Sequence, residues 1–239
     1  MTNYYKRGFI CLLILLSAGF IYAQPEKLTK DRLIEKSNAL FEGGKQKEAV
    51  DLINNYPEFS DEVGVLYVKS VAYTELRDYK NADTAFQKSF DIFLKNGTES
   101  LLIADEYAAK TSPTKVDKDL AAMMYSTAMI SFASADLTNA LRSVAFEKNG
   151  MPEAKREPKN LVGFDEFRKS YEQTAIKSAE SNLKNNQLKE ALADFGKAIE
   201  LDPKNSTSYT GRAKIYRKLK KIKLAIADEA NARRYASKK

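Results

Sequence analysis

Ala191 and Ala225 stand 34 residues apart, and Ala49 and Ala82 stand 33 apart, each pair in similar surroundings. In the clearest copy Ala191, Phe195, Ala198 and Ile199 recur at three- and four-residue steps, which places them on one stripe of a helix, and the stripe stops at Leu201-Asp202-Pro203. A unit of this length holds two short amphipathic helices, and one such pair cannot bury its apolar face alone. The units must therefore stack on neighbours, so the expected molecule is a layered all-α array without a compact centre.

Local signals divide the chain into four parts. Residues 24–97 predict a first pair of units. In the first unit a helix over 29–42 is stopped by Gly43-Gly44, and a second over 47–55 ends before Pro57. The second unit opens after Ser60-Asp61-Glu62, carries Ala82, Ala85, Phe86 and Phe90 on its second helix, and is closed by Lys95-Asn96-Gly97. Residues 98–171 keep helical composition but lose the strict repeat, with helices expected at 99–109, 117–132 and 136–146, then a long Pro- and Gly-containing loop at 148–163. Residues 172–239 predict a second, tighter pair of units.

In that last part Ala179, Ala191, Phe195, Ala198 and Pro203 sit in phase, followed by Ala213, Tyr216, Ala225 and Ala232 in the next unit, with Glu229 where an aromatic would be expected. Ala49, Ala82 and Phe86 mark the corresponding places near the N-terminus. This pattern resembles the tetratricopeptide repeat (TPR), and the resemblance implies a right-handed α-solenoid of antiparallel helix pairs with a less regular helical middle. Alanine lets the two helices of a pair approach closely while the aromatic ring fills the wedge beside them.

The resemblance also implies an inner face. Its residues in the last two units would be Gln173, Ile176, Glu180, Thr210, Lys214 and Arg217, a mixed polar groove with a basic end. Such a groove suits an extended acidic segment or a helix from another protein, with Lys214 and Arg217 as the favoured cationic contacts. The best-known peptide-binding members of the family hold a C-terminal carboxylate with Lys, Asn and Arg on this face. The matching positions here are Ile34, Asn38, Val68, Ile176, Glu180 and Gly211, so a tail clamp of that kind is not expected.

The N-terminus speaks to compartment. Lys6 and Arg7 precede an uncharged run from Gly8 to Tyr22 that ends at Ala23-Gln24-Pro25, which reads as a secretory signal peptide over residues 1–23. The small-x-small rule is met by Ala23 but not by Ile21, so the cut is expected within a few residues of that point. An exported protein of the periplasm or cell envelope follows. The only cysteine, Cys11, lies inside this run, so the remainder holds no thiol and depends on packing alone.

Charge is strongly bipolar. From Lys204 onward there are 12 basic and 2 acidic residues, a net +10, whereas residues 24–203 carry 25 basic and 30 acidic residues, a net −5. Such an end attracts anionic partners without specifying them.

The chain has no histidine and no tryptophan, which removes the commonest general base, the usual zinc sites and every histidine-based triad. No phosphate-binding glycine loop occurs, and the Ser-x-x-Lys spacings at Ser112 to Lys115 and Ser181 to Lys184 lack a companion Lys-Thr-Gly element. No enzyme, metal or cofactor is expected. The leading function is a scaffold that binds a protein or peptide, and the alternative is an adaptor to an anionic membrane or cell-wall surface through the basic segment. The signal peptide and the acidic remainder argue against nucleic acid. Self-association is a further reading, because Leu224, Ile226 and Ala230 on a final helix over 222–235 have nothing after them to cover them.

Overall fold

The computed structural model describes residues 28–152, 155–156 and 159–236; the segment read as a signal peptide lies outside the described residues. The fold is an α-solenoid of antiparallel helix pairs. In chain order its helices are α1 (Lys30–Glu42), α2 (Gln46–Asn54), α3 (Val63–Glu75), α4 (Tyr79–Ala108), α5 (Lys115–Lys148), α6 (Phe164–Lys184), α7 (Leu188–Leu201), α8 (Ser206–Lys218) and α9 (Ile222–Ala236). A short 3-10 turn at Pro57–Phe59 joins α2 to α3.

Each close pair turns in the same way. Gly44, Arg77, Asn186 and Lys220 adopt left-handed backbone, with φ of 77°, 60°, 60° and 57°, at the turn between α1 and α2, α3 and α4, α6 and α7, and α8 and α9. In each turn the next residue's N–H reaches back to a carbonyl five residues earlier: Lys45 to Leu40, Asp78 to Tyr73, Gln187 to Asn182 and Lys221 to Tyr216. This double-bonded helix stop satisfies carbonyls that the helix end would otherwise leave orphaned. It recurs at 33- and 34-residue spacing, the same period as the alanines. Helix starts are capped in turn by Thr29, Asp78 and Asn205, and Thr114 and Asp117 form a reciprocal capping box at α5.

The repeat alanines occupy the places where helices touch. Ala49, Ala82, Ala179, Ala191, Ala198, Ala213 and Ala225 are buried together with Phe86 and Phe195, while Tyr216 and Ala232 are half-buried and Pro203 is exposed.

The middle differs from the sequence expectation in two places. Lys95-Asn96-Gly97 does not end a helix: α4 runs unbroken through it to Ala108, so the boundary drawn at 97 falls inside the helix and no separate helix begins at 99. Gly97 is buried against Phe132 of α5, where an added Cβ would lie 2.4 Å from the ring. The glycine is there for close approach. Likewise the two helices expected over 117–132 and 136–146 are one 34-residue helix, α5, because Thr138 and the residues around it continue the buried face without interruption.

The largest core sits in this middle part. Phe86 and Phe90 of α4, Phe132 and Phe146 of α5, and Phe164, Phe167 and Tyr171 of α6 form one aromatic cluster with many edge-on contacts, such as Phe90 with Phe167 at 5.3 Å. The connection after α5 is tied to it. Leu161 is buried in the cluster, its N–H donates to the Asn139 side chain (3.1 Å), and the Val162 N–H donates to Gln87 (2.9 Å). Arg142, fully buried, pairs with Asp83 and donates from Nη1 to the Lys159 carbonyl at 2.9 Å. The described part of the long loop is thus anchored to α4 and α5.

Candidate binding groove

Of the expected inner-face residues, Gln173, Ile176 and Glu180 lie on α6 and Thr210, Lys214 and Arg217 on α8. The packing of these two helices is set by α7, whose Phe195 and Ala191 lie against Ala179 of α6 and Ile215 of α8, with Ile176 half-buried at the edge of that cluster. Gly211 on α8 sits under the Phe195 ring. Gln173, Glu180, Thr210, Lys214 and Arg217 remain exposed.

These residues are not equally available. Thr210 donates its hydroxyl to the Ser206 carbonyl at 2.9 Å, one turn back on its own helix. Arg217, favoured from sequence as a ligand contact, is engaged within the fold. Its Nε and Nη2 donate to the two carboxylate oxygens of Glu229 on α9, at 2.6 and 2.9 Å. This fork lowers the Glu229 pKa, chiefly through the hydrogen bond from Arg217. The half-buried Glu229 thus ties α9 to α8. Lys214 has no carboxylate within ion-pair distance among the described residues.

Glu180 lines a recess of about 370 Å³ with Lys118, Tyr107, Tyr125, Lys177 and Lys184. Next to it Asp105 of α4 accepts from the Tyr125 hydroxyl (2.8 Å) and from Lys177 Nζ (2.6 Å). Burial is the main cause that pushes the Tyr125 phenol up, helped by its bond to Asp105 and by the negative charge of Glu180. Tyr125 therefore stays a neutral donor. The Asp105, Tyr125 and Lys177 cluster was missed in the sequence because it depends on α4 and α5 running past the limits of a regular repeat.

Two further carboxylates join the C-terminal helices. Asp228, buried on α9, receives a two-point fork from Arg212 of α8 at 2.8 and 2.9 Å. Asp194 of α7 accepts from Ser178 (2.6 Å) and Asn182 (2.9 Å) of α6, and burial raises its pKa although both hydrogen bonds oppose this. Both acids of the basic segment are consequently taken up by arginines. Lys204, Lys214, Lys218, Lys220, Lys221, Lys223, Arg233 and Arg234 all lie exposed. Ile222, Leu224 and Ile226 on α9 are also exposed.

A protein-family model picks out residues 63–96 and 175–205, which hold two of the four repeated turns, those at Arg77 and Asn186. Both segments match the tetratricopeptide repeat. The first match ends one residue before Gly97, although α4 continues to Ala108, and the second begins halfway along α6. The tetratricopeptide units thus share their helices with the aromatic middle. No curated protein matches the chain. Similar solved structures include a MamA double mutant (13% identity, 86% of this chain and 93% of that one, TM-score 0.32). YrrB, a TPR protein with an unusual peptide-binding site, is similar at 13% identity over 85% of this chain and 84% of that one, TM-score 0.27. The TPR2AB domain of yeast Sti1 in a pHSP90 complex is similar at 19% identity over 87% and 91%, TM-score 0.26.

Proposed function

We propose that the chain is a non-enzymatic scaffold, exported to the periplasm or cell envelope, that holds a segment of another protein along the inner face of α6 and α8. The observation that carries this reading is the exposure of Gln173, Glu180 and Lys214 on α6 and α8, with no ion pair to any of them among the described residues. Polar side chains held on rigid helices and left unpaired are available for partner contacts. The export reading rests on the charge and apolar pattern of residues 1–23.

The test is capture from envelope extract at low and moderate salt, comparing the native protein with Glu180→Lys/Lys214→Glu. One protein recovered at both salt levels and lost in the double variant supports groove binding. Recovery unaffected by the double variant sinks it.

A second reading, an adaptor to an anionic membrane or wall surface, is favoured by the eight exposed cations from Lys204 to Arg234. Each basic residue near an anionic membrane contributes about 1 kcal/mol, and the attraction is screened by salt. Sedimentation with vesicles rich in anionic lipid, abolished at high salt, supports it; equal binding to neutral vesicles rules it out.

A further inference from the structure

Helix α5 is apolar on both sides. One side, with Tyr125, Phe132 and Arg142, is buried against α4 and the aromatic cluster. On the opposite side Val116, Met123, Ile130, Leu137 and Val144 follow one another at an unbroken seven-residue interval, and each is 46 to 65% exposed. Three residues after each comes Asp119, Ser126, Ala133, Ala140 or Glu147, all exposed as well. The first of these two positions is apolar in every heptad and the second is small or polar, which gives one apolar row of a coiled-coil seam over four heptads and about 42 Å of helix. A seven-residue period drifts about 20° per heptad on a straight helix, so what it fits is a second helix wound against it.

We propose that this seam pairs with the same seam of a second copy of the chain, antiparallel. In that arrangement large residues of one helix face small residues of the other. Ile130 meets Ala133, Met123 meets Ala140 and Leu137 meets Ser126, each pairing occurring twice by symmetry. The six central layers are thus large against small throughout, which lets the two helices interdigitate. A parallel pairing stacks large on large and leaves alternating layers of alanine and serine unfilled. At the ends of the antiparallel pair Val116 of one copy faces Glu147 of the other, whose carboxylate then comes beside Lys115 of the first, and this occurs at both ends by symmetry. These contacts are of opposite sign, and the two helix dipoles run in opposition.

Helix α5 is also long and apolar enough to cross a membrane by length and composition. Its buried face is occupied by the core, and the outward face is a narrow seam carrying Ser126 and ending in Asp119 and Glu147. A row of large apolar residues alternating with small or polar ones at a seven-residue period suits a second helix of the same kind, whereas the charged Asp119 and Glu147 and the buried far side do not suit a bilayer.

The test is sedimentation equilibrium across a concentration series, using the full chain with Cys11→Ser as background. The expected result is a monomer–dimer equilibrium that Ile130→Glu/Leu137→Glu abolishes, halving the average mass. Leu102→Glu, also an exposed apolar site but off the seam, should leave it intact. All three residues are exposed, so thermal melts by circular dichroism should coincide. Orientation is read by mild oxidation: mixing Met123→Cys with Ala140→Cys chains should give a disulfide-linked pair, and Val116→Cys alone should not. A monomer at every concentration, association indifferent to the seam substitutions, efficient linking of Val116→Cys to itself, or seam-dependent flotation with vesicles in place of dimerisation would each overturn the proposal.

Discussion

Gly211 lies directly beneath the ring of Phe195, so close that a Cβ there would stand 2.1 Å from Cζ. The ring fills the wedge between α6, α7 and α8 only because α8 has no side chain at that point. Phe195→Ala should destabilise the protein by about 3–5 kcal/mol and Gly211→Ala by about 1–3 kcal/mol. The double variant should cost less than the two added together, since the new methyl enters the space that the ring vacates. Urea denaturation of the four proteins reads all three quantities. A strictly additive result would mean that the two residues do not share a cavity.

Gly97 offers a sharper distinction. On an ordinary helix surface Gly→Ala stabilises by about 1 kcal/mol, and at a helix stop with positive φ it destabilises through strain. Here the backbone is helical and the obstacle is the Phe132 ring, so Gly97→Ala should lose about 1–3 kcal/mol through overpacking. Replacing Phe132 with Leu in the same chain should recover part of that loss. A stabilised Gly97→Ala protein would show that α4 and α5 are farther apart than the structure has them.

Arg77 and Lys220 hold the left-handed turn position that glycine occupies in the first pair at Gly44. A side chain in that conformation costs about 1–2 kcal/mol, part of which glycine gives back as unfolded-chain entropy. Arg77→Gly and Lys220→Gly are each expected to raise stability by up to about 1 kcal/mol, seen as a higher melting temperature. A lower melting temperature for both would contradict the turn assignment.

Asp194 titrates in the direction opposite to most folded carboxylates. Burial raises its pKa above the ordinary carboxylate value, so the native state favours its protonated form. The stability this group contributes is present in acid, below the unfolded carboxylate pKa, and is lost as pH rises through its folded pKa. At neutral pH the buried charge is a cost. Asp194→Asn keeps an acceptor for Ser178 and Asn182 and removes the charge, so it should melt higher than the native protein at pH 7. That advantage should shrink as pH is lowered towards 4. A gain that grows in acid would reverse the assigned sign.

The paired helices at both ends could be read from the chain because small residues at a fixed period leave a signal in the sequence itself. Ala179, Ala191 and Ala225 are buried for a reason that spacing alone conveys. Gly97 was misread because a helix stop and a close approach require the same residue, and Lys-Asn before it favoured the stop. The choice was made by Phe132, 35 residues away. The partner of Arg217 is not legible in the sequence, since Glu229 lies 12 residues away on the next helix and their meeting depends on how α8 and α9 pack. The anchoring of the long loop through Asn139 and Gln87 depends on contacts 22 and 75 residues apart in sequence, which no local pattern carries. The seven-residue stripe on α5 was present in the sequence all along. It was hidden because the helix is apolar on its other side too, and a 3.6-residue reading sees no contrast between two apolar faces.

Because α4 begins and α6 ends inside a tetratricopeptide match, and both supply rings to the aromatic cluster, each terminal array is joined to the middle through a continuous helix. Ordinary repeat proteins shed their units one after another when stressed, since each touches only its neighbours. This chain is built more like a beam spliced at its centre. Strain that reaches α4 from one end or α6 from the other passes into the same set of rings, so melting should engage both ends together as one cooperative event.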